Sequence, residues 1–386
     1  MDIPKESSDT AADRPVTRGS ADDAETYSLT LANDTRDLLS RFDKALPNAS
    51  VEDVIGDANR DGTASHTTDH PFPELQYHGK WNAGDEDTYW FPQGISGSAD
   101  ALEDGQYQGH TVVLVSWYDN VDLSPDPKVD KGGRLSFVRQ DTPDDPDYRH
   151  VLLVDPFIDD DGHPDFKAVP THAGGIAWYG NYVYVTDTFN GIKVFDLDHM
   201  WKVDTSGDDI GRDSNGDYHA HGYKYVVPRV FDYAATTSGA EPGLRYSFVA
   251  LDRTTKPDSI VVSEWWTEDE MPDRDARIVR WEIDYRTREL RYGSASNAKA
   301  TEWFRSTLTH MQGIASVKGR FYISRSVADA DKSFVVVDKD GTTKYFGTGL
   351  SGPEDLFHDA NNNVLWTQSE QPNGRQYGTI DLSDAP

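Results

Sequence analysis

Gly175-Ile-Ala-Trp-Tyr179, Tyr182-Val-Tyr-Val185 and Gly191-Ile-Lys-Val-Phe-Asp-Leu197 are three short apolar runs separated by Gly, Asn and Asp. Runs of β-branched and aromatic residues bounded by such turn residues read as consecutive antiparallel strands. The opener His172-Ala-Gly-Gly-Ile176 precedes them, and the phrase recurs as Phe91-Pro-Gln-Gly-Ile95, His310-Met-Gln-Gly-Ile314 and, more loosely, Gly352-Pro-Glu-Asp-Leu356. Each copy is followed by two more runs: Thr111–Trp117 and Arg134–Val138, Arg320–Ser324 and Ser333–Asp338, Val364–Thr367 and Tyr377–Leu382. A group without the opener runs through Tyr246–Leu251, Ser259–Ser263 and Arg277–Trp281.

Repetition of one strand group points to a radial repeat. Adding one outer strand to each group gives four-stranded blades, with His150–Val154, Lys224–Pro228, Glu289–Tyr292 and Thr343–Phe346 as candidates. The expected fold is therefore all-β, a five-bladed β-propeller. It becomes six-bladed if residues 76–92 and 224–235 supply an extra blade, and a β-sandwich is the competing architecture.

The propeller is expected over residues 76–386, behind an N-terminal extension over 1–75. Residues 1–26 are rich in Asp, Ser, Thr and Ala and read as a flexible, partly disordered leader. Apolar residues at helical spacing in Thr35–Leu46 predict a short helix that stops at Pro47. The start lacks a basic region followed by an apolar stretch, so either a leader has been removed from an exported protein or the protein is cytoplasmic.

Composition narrows the function classes. There are 67 acidic and 37 basic residues, a formal net charge of −30, which argues against nucleic acid or an anionic membrane as partner. No run reaches the ~18 apolar residues that a membrane helix needs. The chain has no cysteine, which removes disulfides, zinc-thiolate sites and thiol nucleophiles. Elbow, P-loop and dinucleotide motifs are also missing from the sequence. A monomer is expected.

In a propeller the loops entering the inner strands surround one shaft mouth. The openers would bring His172, His310, Gln93, Gln312 and Glu354 there. Two imidazoles with amide and carboxylate oxygens suit acid–base chemistry, or a manganese- or zinc-type cation. Shortly after the second strands come Asp119, Asp187, Glu264, Arg325 and Glu370, and the four acids among them, recurring at one repeat position, can act as a catalytic pair or cap turns. Trp117 and Trp265 belong to aromatic pairs suited to stacking on a sugar, although neighbours on a strand face opposite ways, so most tryptophans should be core. The catalytic candidates are His172, His310, Glu354 and Glu264. The substrate-binding candidates are Gln93, Gln312, Asp187, Asp119, Arg325, Trp117 and Trp265.

Asp57-Ala-Asn-Arg-Asp-Gly62 resembles a calcium loop of EF-hand type, with Asp57, Asn59 and Asp61 as ligands. The twelfth position is Thr68, with Asp69 one residue late, and the competing reading is a solvated turn.

The stretch Thr171–Leu197, with Leu114–Asp119, Tyr148–Val154 and Ser247–Asp252, resembles a family of secreted actinobacterial β-propeller-like proteins of undetermined activity. The resemblance spans residues 76 to 382. It implies fold and export and carries over no catalytic residue. The functional expectation is an exported hydrolase or lyase acting on a saccharide or other small organic molecule. The alternatives are a non-catalytic ligand-binding propeller and a natural-product tailoring enzyme.

Overall fold

The strands following each opener hydrogen-bond in sequence order, as short Gly- and Asn-containing turns require. The computed structural model describes residues 14–382 other than 65–74, 87–88, 125–128, 238–242, 271–274, 294–295, 348–349 and 373. Among the described residues the strands form five four-stranded meanders. The first contains Trp90–Gly97, Val112–Asp119, Gly133–Arg139 and Asp147–Ile158. The second contains Ile176–Tyr179, Tyr182–Asp187, Gly191–Asp196 and Tyr225–Thr237. Phe248–Asp252, Ser259–Ser263, Ala276–Asp284 and Glu302–Ser306 make the third. The fourth is Met311–Val317, Arg320–Arg325, Phe334–Val337 and Thr343–Phe346.

The fifth meander, Pro353–Asp359, Val364–Ser369 and Gln376–Asp381, takes its outer strand from Leu75–Lys80, which lies far earlier in the sequence and ahead of the first opener. The inner strands pack beside one another in a ring: first to second, second to third, and on through the fifth back to the first. The architecture is a β-propeller.

Three expectations change. Residues 76–80 pair as the outer strand of the fifth meander, and the outer strand of the second is paired through Arg229–Ala234. Glu289–Leu290 forms only a two-residue hairpin on Ile283–Asp284, because the chain turns sharply at Arg288 with φ +59°. The third meander's outer strand is Glu302–Ser306 instead. Finally, residues 16–26 of the expected leader carry structure: Val16–Arg18 pairs with Phe304–Ser306, and Ala21–Ala24 is a helical turn capped by Ser20. Strand addition to an open edge uses backbone hydrogen bonds, so it needs little apolar content.

Tyr27–Ala32 likewise extends the second meander along Asp232–Thr237. The predicted helix is present as Arg36–Ala45, burying Leu39 and Phe42, and Phe42 stacks on Trp201 with ring centroids 4.6 Å apart. A second helix, Val51–Gly56, starts with a capping box between Ser50 and Asp53.

The inter-sheet core includes Trp117, Trp178 and Trp281, all fully buried. An indole of ~200 Å² contributes roughly 5 kcal/mol of gross hydrophobic stabilisation.

The repeated glycine of the openers has a steric cause. A Cβ on Gly94 would lie 2.6 Å from the Ile176 nitrogen, and one on Gly175 would lie 2.3 Å from the Val249 nitrogen. The inner strands touch backbone to backbone at these points, where only glycine fits. In the fifth meander Asp355 takes that position. Its carboxylate reaches across the ring and accepts hydrogen bonds from the backbone N–H of Ile95 at 3.4 Å and Ile176 at 3.3 Å.

Candidate functional site at the shaft mouth

Three of the four openers place side chains through a local irregularity. The pairing of inner and second strand slips by one residue between Pro92 and Ile95, Met311 and Gly313, and Pro353 and Leu356. Such bulges re-aim the residues they contain. Gln93, Gln312 and Glu354 thereby reach one cavity of about 390 Å³, together with His172, Trp265 and Glu370. Sequence reasoning placed all six near the mouth.

Two carboxyl groups define the floor. Gln312 Nε2 donates to Glu354 Oε1 at 3.2 Å, and Gln93 Nε2 donates to Glu370 Oε2 at 2.9 Å. Burial pushes the Glu354 carboxyl well above the usual range, and the charges of Glu370 and Asp355 push it further. Glu370 is also raised by burial, against the Gln93 hydrogen bond and the Arg375 charge. These surroundings favour the protonated form of the Glu354 carboxyl.

His172 lies against Tyr118, with ring centroids 4.3 Å apart. The imidazole keeps open surface toward the cavity, yet protein crowds it closely enough that desolvation lowers its pKa. Neutral imidazole is thus its form at neutral pH. The Tyr118 hydroxyl is pushed up to about 12 by burial and by the Glu370 charge.

His310 does not join this group. Its Nδ1 lies 3.4 Å from Glu268 Oε2, and its ring meets Trp265 edge-on at 6.0 Å. The reason is a one-residue offset between openers. The left-handed residue is His310 itself, with φ +54°, but Ala173, with φ +50°, in the other copy. The two imidazoles leave the backbone in different directions, and the shaft metal expected from a histidine pair loses one ligand.

Four other candidates serve structure. Glu264 is fully buried and accepts from Arg277 Nε at 2.9 Å, Arg277 Nη2 at 2.8 Å and the Arg245 backbone N–H at 2.9 Å. Asp187 ion-pairs with Lys193 and accepts from Asn190 at 3.0 Å, which is turn chemistry. Asp119 holds the Lys131 backbone N–H at 2.8 Å. Arg325 donates to the Thr309 carbonyl at 2.9 Å.

Trp117 is core, donating to Ser136 Oγ at 2.6 Å, and strand alternation turns the next residue, Tyr118, to the cavity. The choice within this aromatic pair is therefore Tyr118. Sequence reasoning also missed Ser247 and Arg245, which lead into the third inner strand where no opener marks it. The Arg245 guanidinium sits 3.7 Å above the Trp266 ring.

The calcium reading meets occupied ligands. Asp57 accepts from Lys224 Nζ at 2.6 Å and Tyr225 Oη at 2.9 Å, and lies 3.1 Å from Arg149 Nη1. Asn59 Oδ1 accepts from Arg60 at 3.1 Å, and Asp61 is pinned in strand pairing to Asp147. The Asp57 carboxylate has thus been neutralised by basic side chains where a loop of this type needs it for the cation. Thr68 and Asp69 lie outside the described residues. Among the described residues no group of three or more His, Asp or Glu side chains is placed to hold a metal.

Residues 170–197, the second opener and its strands, match the LVIVD repeat. No curated protein matches the chain. Among solved structures the chain is similar to a gluconolactonase from Xanthomonas campestris, with 11% identity, TM-score 0.34, and 88% of this chain and 84% of that one covered. It is similar to the GH43_1 enzyme of Xanthomonas citri, solved with xylotriose, at 9% identity and TM-score 0.32, covering 88% and 92%. The Cps50 (Swd1) β-propeller domain of Myceliophteria thermophila is also similar, at 9% identity and TM-score 0.34, covering 75% and 96%. At these scores the chemistry of those proteins does not transfer, and the propeller assignment rests on the strand pairing above.

Proposed function

We propose that the protein is an enzyme acting on a saccharide or other small organic substrate at the shaft mouth, in a propeller of five blades. One observation carries this reading. A carboxyl group whose protonated form is favoured by burial, Glu354, shares a cavity with a second carboxyl group, Glu370, and an imidazole whose neutral form is favoured, His172. Groups whose surroundings push their protonation apart are suited to act as acid and base in one step.

In the proposed step His172 removes a proton from water, or from a carbon beside a carboxyl or carbonyl group. Glu354 gives its proton to the departing oxygen. Gln312 and Gln93 fix the two carboxyl groups, and Trp265 and Tyr118 offer flat apolar surface to a ring.

The test is a panel of glycosides and lactones assayed with the parent, Glu354→Gln and His172→Ala, with affinity followed by calorimetry. Turnover lost in both variants with affinity retained is the expected result. A parent that binds a panel member without converting it makes the site a recognition module instead.

A further inference from the structure

A second cavity, of about 310 Å³, opens beside the first meander, between the strand starts at Trp90 and Arg134 and the loop His221–Lys224. Five cationic side chains line it: Arg60, Lys131, Arg134, Arg149 and Lys224. Among the described residues Asp85 is the one carboxylate in its wall. In a chain with a net charge of −30, such a concentration of positive charge is out of keeping with the rest of the surface.

Arg134 is the most committed of the five. Its guanidinium lies between two indoles, 4.4 Å from the Trp90 ring and 4.8 Å from the Trp117 ring. Nη1 donates to the Tyr223 hydroxyl at 3.1 Å and Nη2 to Asp85 Oδ1 at 3.2 Å. Its Nε is buried with no hydrogen-bond partner, on a side chain only 4% exposed. His150 Nε2, on a side chain 1% exposed, is likewise without a hydrogen bond, although it stands 3.2 Å from Asp85 Oδ1.

Orphaned buried donors are uncommon in folded proteins, and each asks for a ligand or water. A guanidinium pre-oriented by stacking is matched to an oxyanion, because its donors fit two oxygens at once. Among the described residues three carboxylates answer these five cations, Asp85 shared by Arg60 and Arg134, Asp57 shared by Arg149 and Lys224, and Asp208 paired with Lys131 at 3.0 Å, so positive charge remains in excess around the cavity. Burial would raise the Asp85 carboxyl, but the adjacent His150 ring and the charges of Arg134 and Arg60 reverse this and hold it well below the usual range.

We infer that this cavity is a binding site for the oxyanion group of a small acidic molecule, a phosphate, sulfate or carboxylate, held by Arg134 with Lys131 and Arg60. It is separate from the shaft mouth and independent of the chemistry proposed there. The Tyr89, Trp90 and Tyr223 rings give the remainder of such a ligand an aromatic wall.

The test titrates inorganic phosphate, sulfate and succinate into the protein at constant ionic strength, by calorimetry and by quenching of tryptophan fluorescence. At least one anion should bind saturably, one per chain. Succinate in preference to phosphate and sulfate marks a carboxylate ligand, and the reverse a phosphorylated or sulfated one. Lys131→Met and Arg60→Gln, both away from the stacked guanidinium and expected to fold, should each weaken binding at least about tenfold. Arg134→Lys should weaken it further. His172→Ala, at the shaft mouth, should bind as the parent does. No saturable binding of any of the three anions at millimolar concentration overturns the site, as does unchanged affinity in Lys131→Met and Arg60→Gln.

Discussion

Gln93 Nε2 donates to Glu370 Oε2 at 2.9 Å, joining the first inner strand to the residue that follows the second strand of the last meander. Gln368 Nε2 returns the contact, donating to the Gln93 carbonyl at 2.5 Å. The seam where the ring closes is therefore also a wall of the candidate site, and ring closure holds Glu370 in place.

Glu354 and Glu264 are both buried acids, yet only Glu354 faces the cavity. Glu354→Gln should lower turnover of any substrate found by about 10²- to 10⁴-fold with little loss of stability. Glu264→Ala should cost about 3–5 kcal/mol, because it leaves Arg277 buried without its carboxylate. Steady-state kinetics paired with urea unfolding separates the two. A stable Glu264→Ala protein would contradict the structural role.

His172 is held neutral by desolvation, so the acid limb of the pH–rate profile should fall below the ordinary histidine value of about 6.5. His172→Ala should remove that limb. Persistence of the same limb in the variant would assign it elsewhere.

Asp100 is buried with its Oδ2 accepting from Ser96 Oγ at 2.7 Å, and burial raises its pKa to about 7. The folded state then binds this proton more tightly than the unfolded chain, whose value is about 3.9. Stability from this group is full below about pH 4 and is lost as pH rises toward 7. Asp100→Asn should flatten that slope and stabilise the protein at alkaline pH by a few kcal/mol. Urea midpoints measured across this range check it, and an equal effect at both ends would exclude the linkage.

Gly175 allows the second inner strand to touch the third. Gly175→Ala would put a methyl group 2.3 Å from the Val249 nitrogen and should destabilise by about 1–3 kcal/mol. Gly162, at an exposed turn with φ +85° and open space around it, is the control for backbone strain alone. If Gly175→Ala proves no worse than Gly162→Ala, the close contact is not limiting.

Tyr118→Phe should leave stability nearly unchanged and alter KM. Trp117→Ala, one residue earlier, should cost about 3–5 kcal/mol through the void it leaves in the core. Denaturation curves and kinetics of the pair read the two faces of one strand.

Local chemistry wrote the repeat into the sequence. Apolar runs of strand length, Gly–Asn turns and the glycine demanded by backbone contact are all short-range requirements, so the openers and the strands behind them were legible. The same openers marked Gln93, His172, Gln312 and Glu354. The tertiary structure decided what spacing does not encode. It separated His310 from His172 through a one-residue shift of the left-handed position, and it chose Tyr118 over Trp117 by strand facing. It turned Glu264 to Arg277 and Asp57 to Lys224, partners brought close by folding. It also revealed Arg245, Ser247 and the Arg134 cavity, whose residues come from separate strands and loops and meet only in the folded chain.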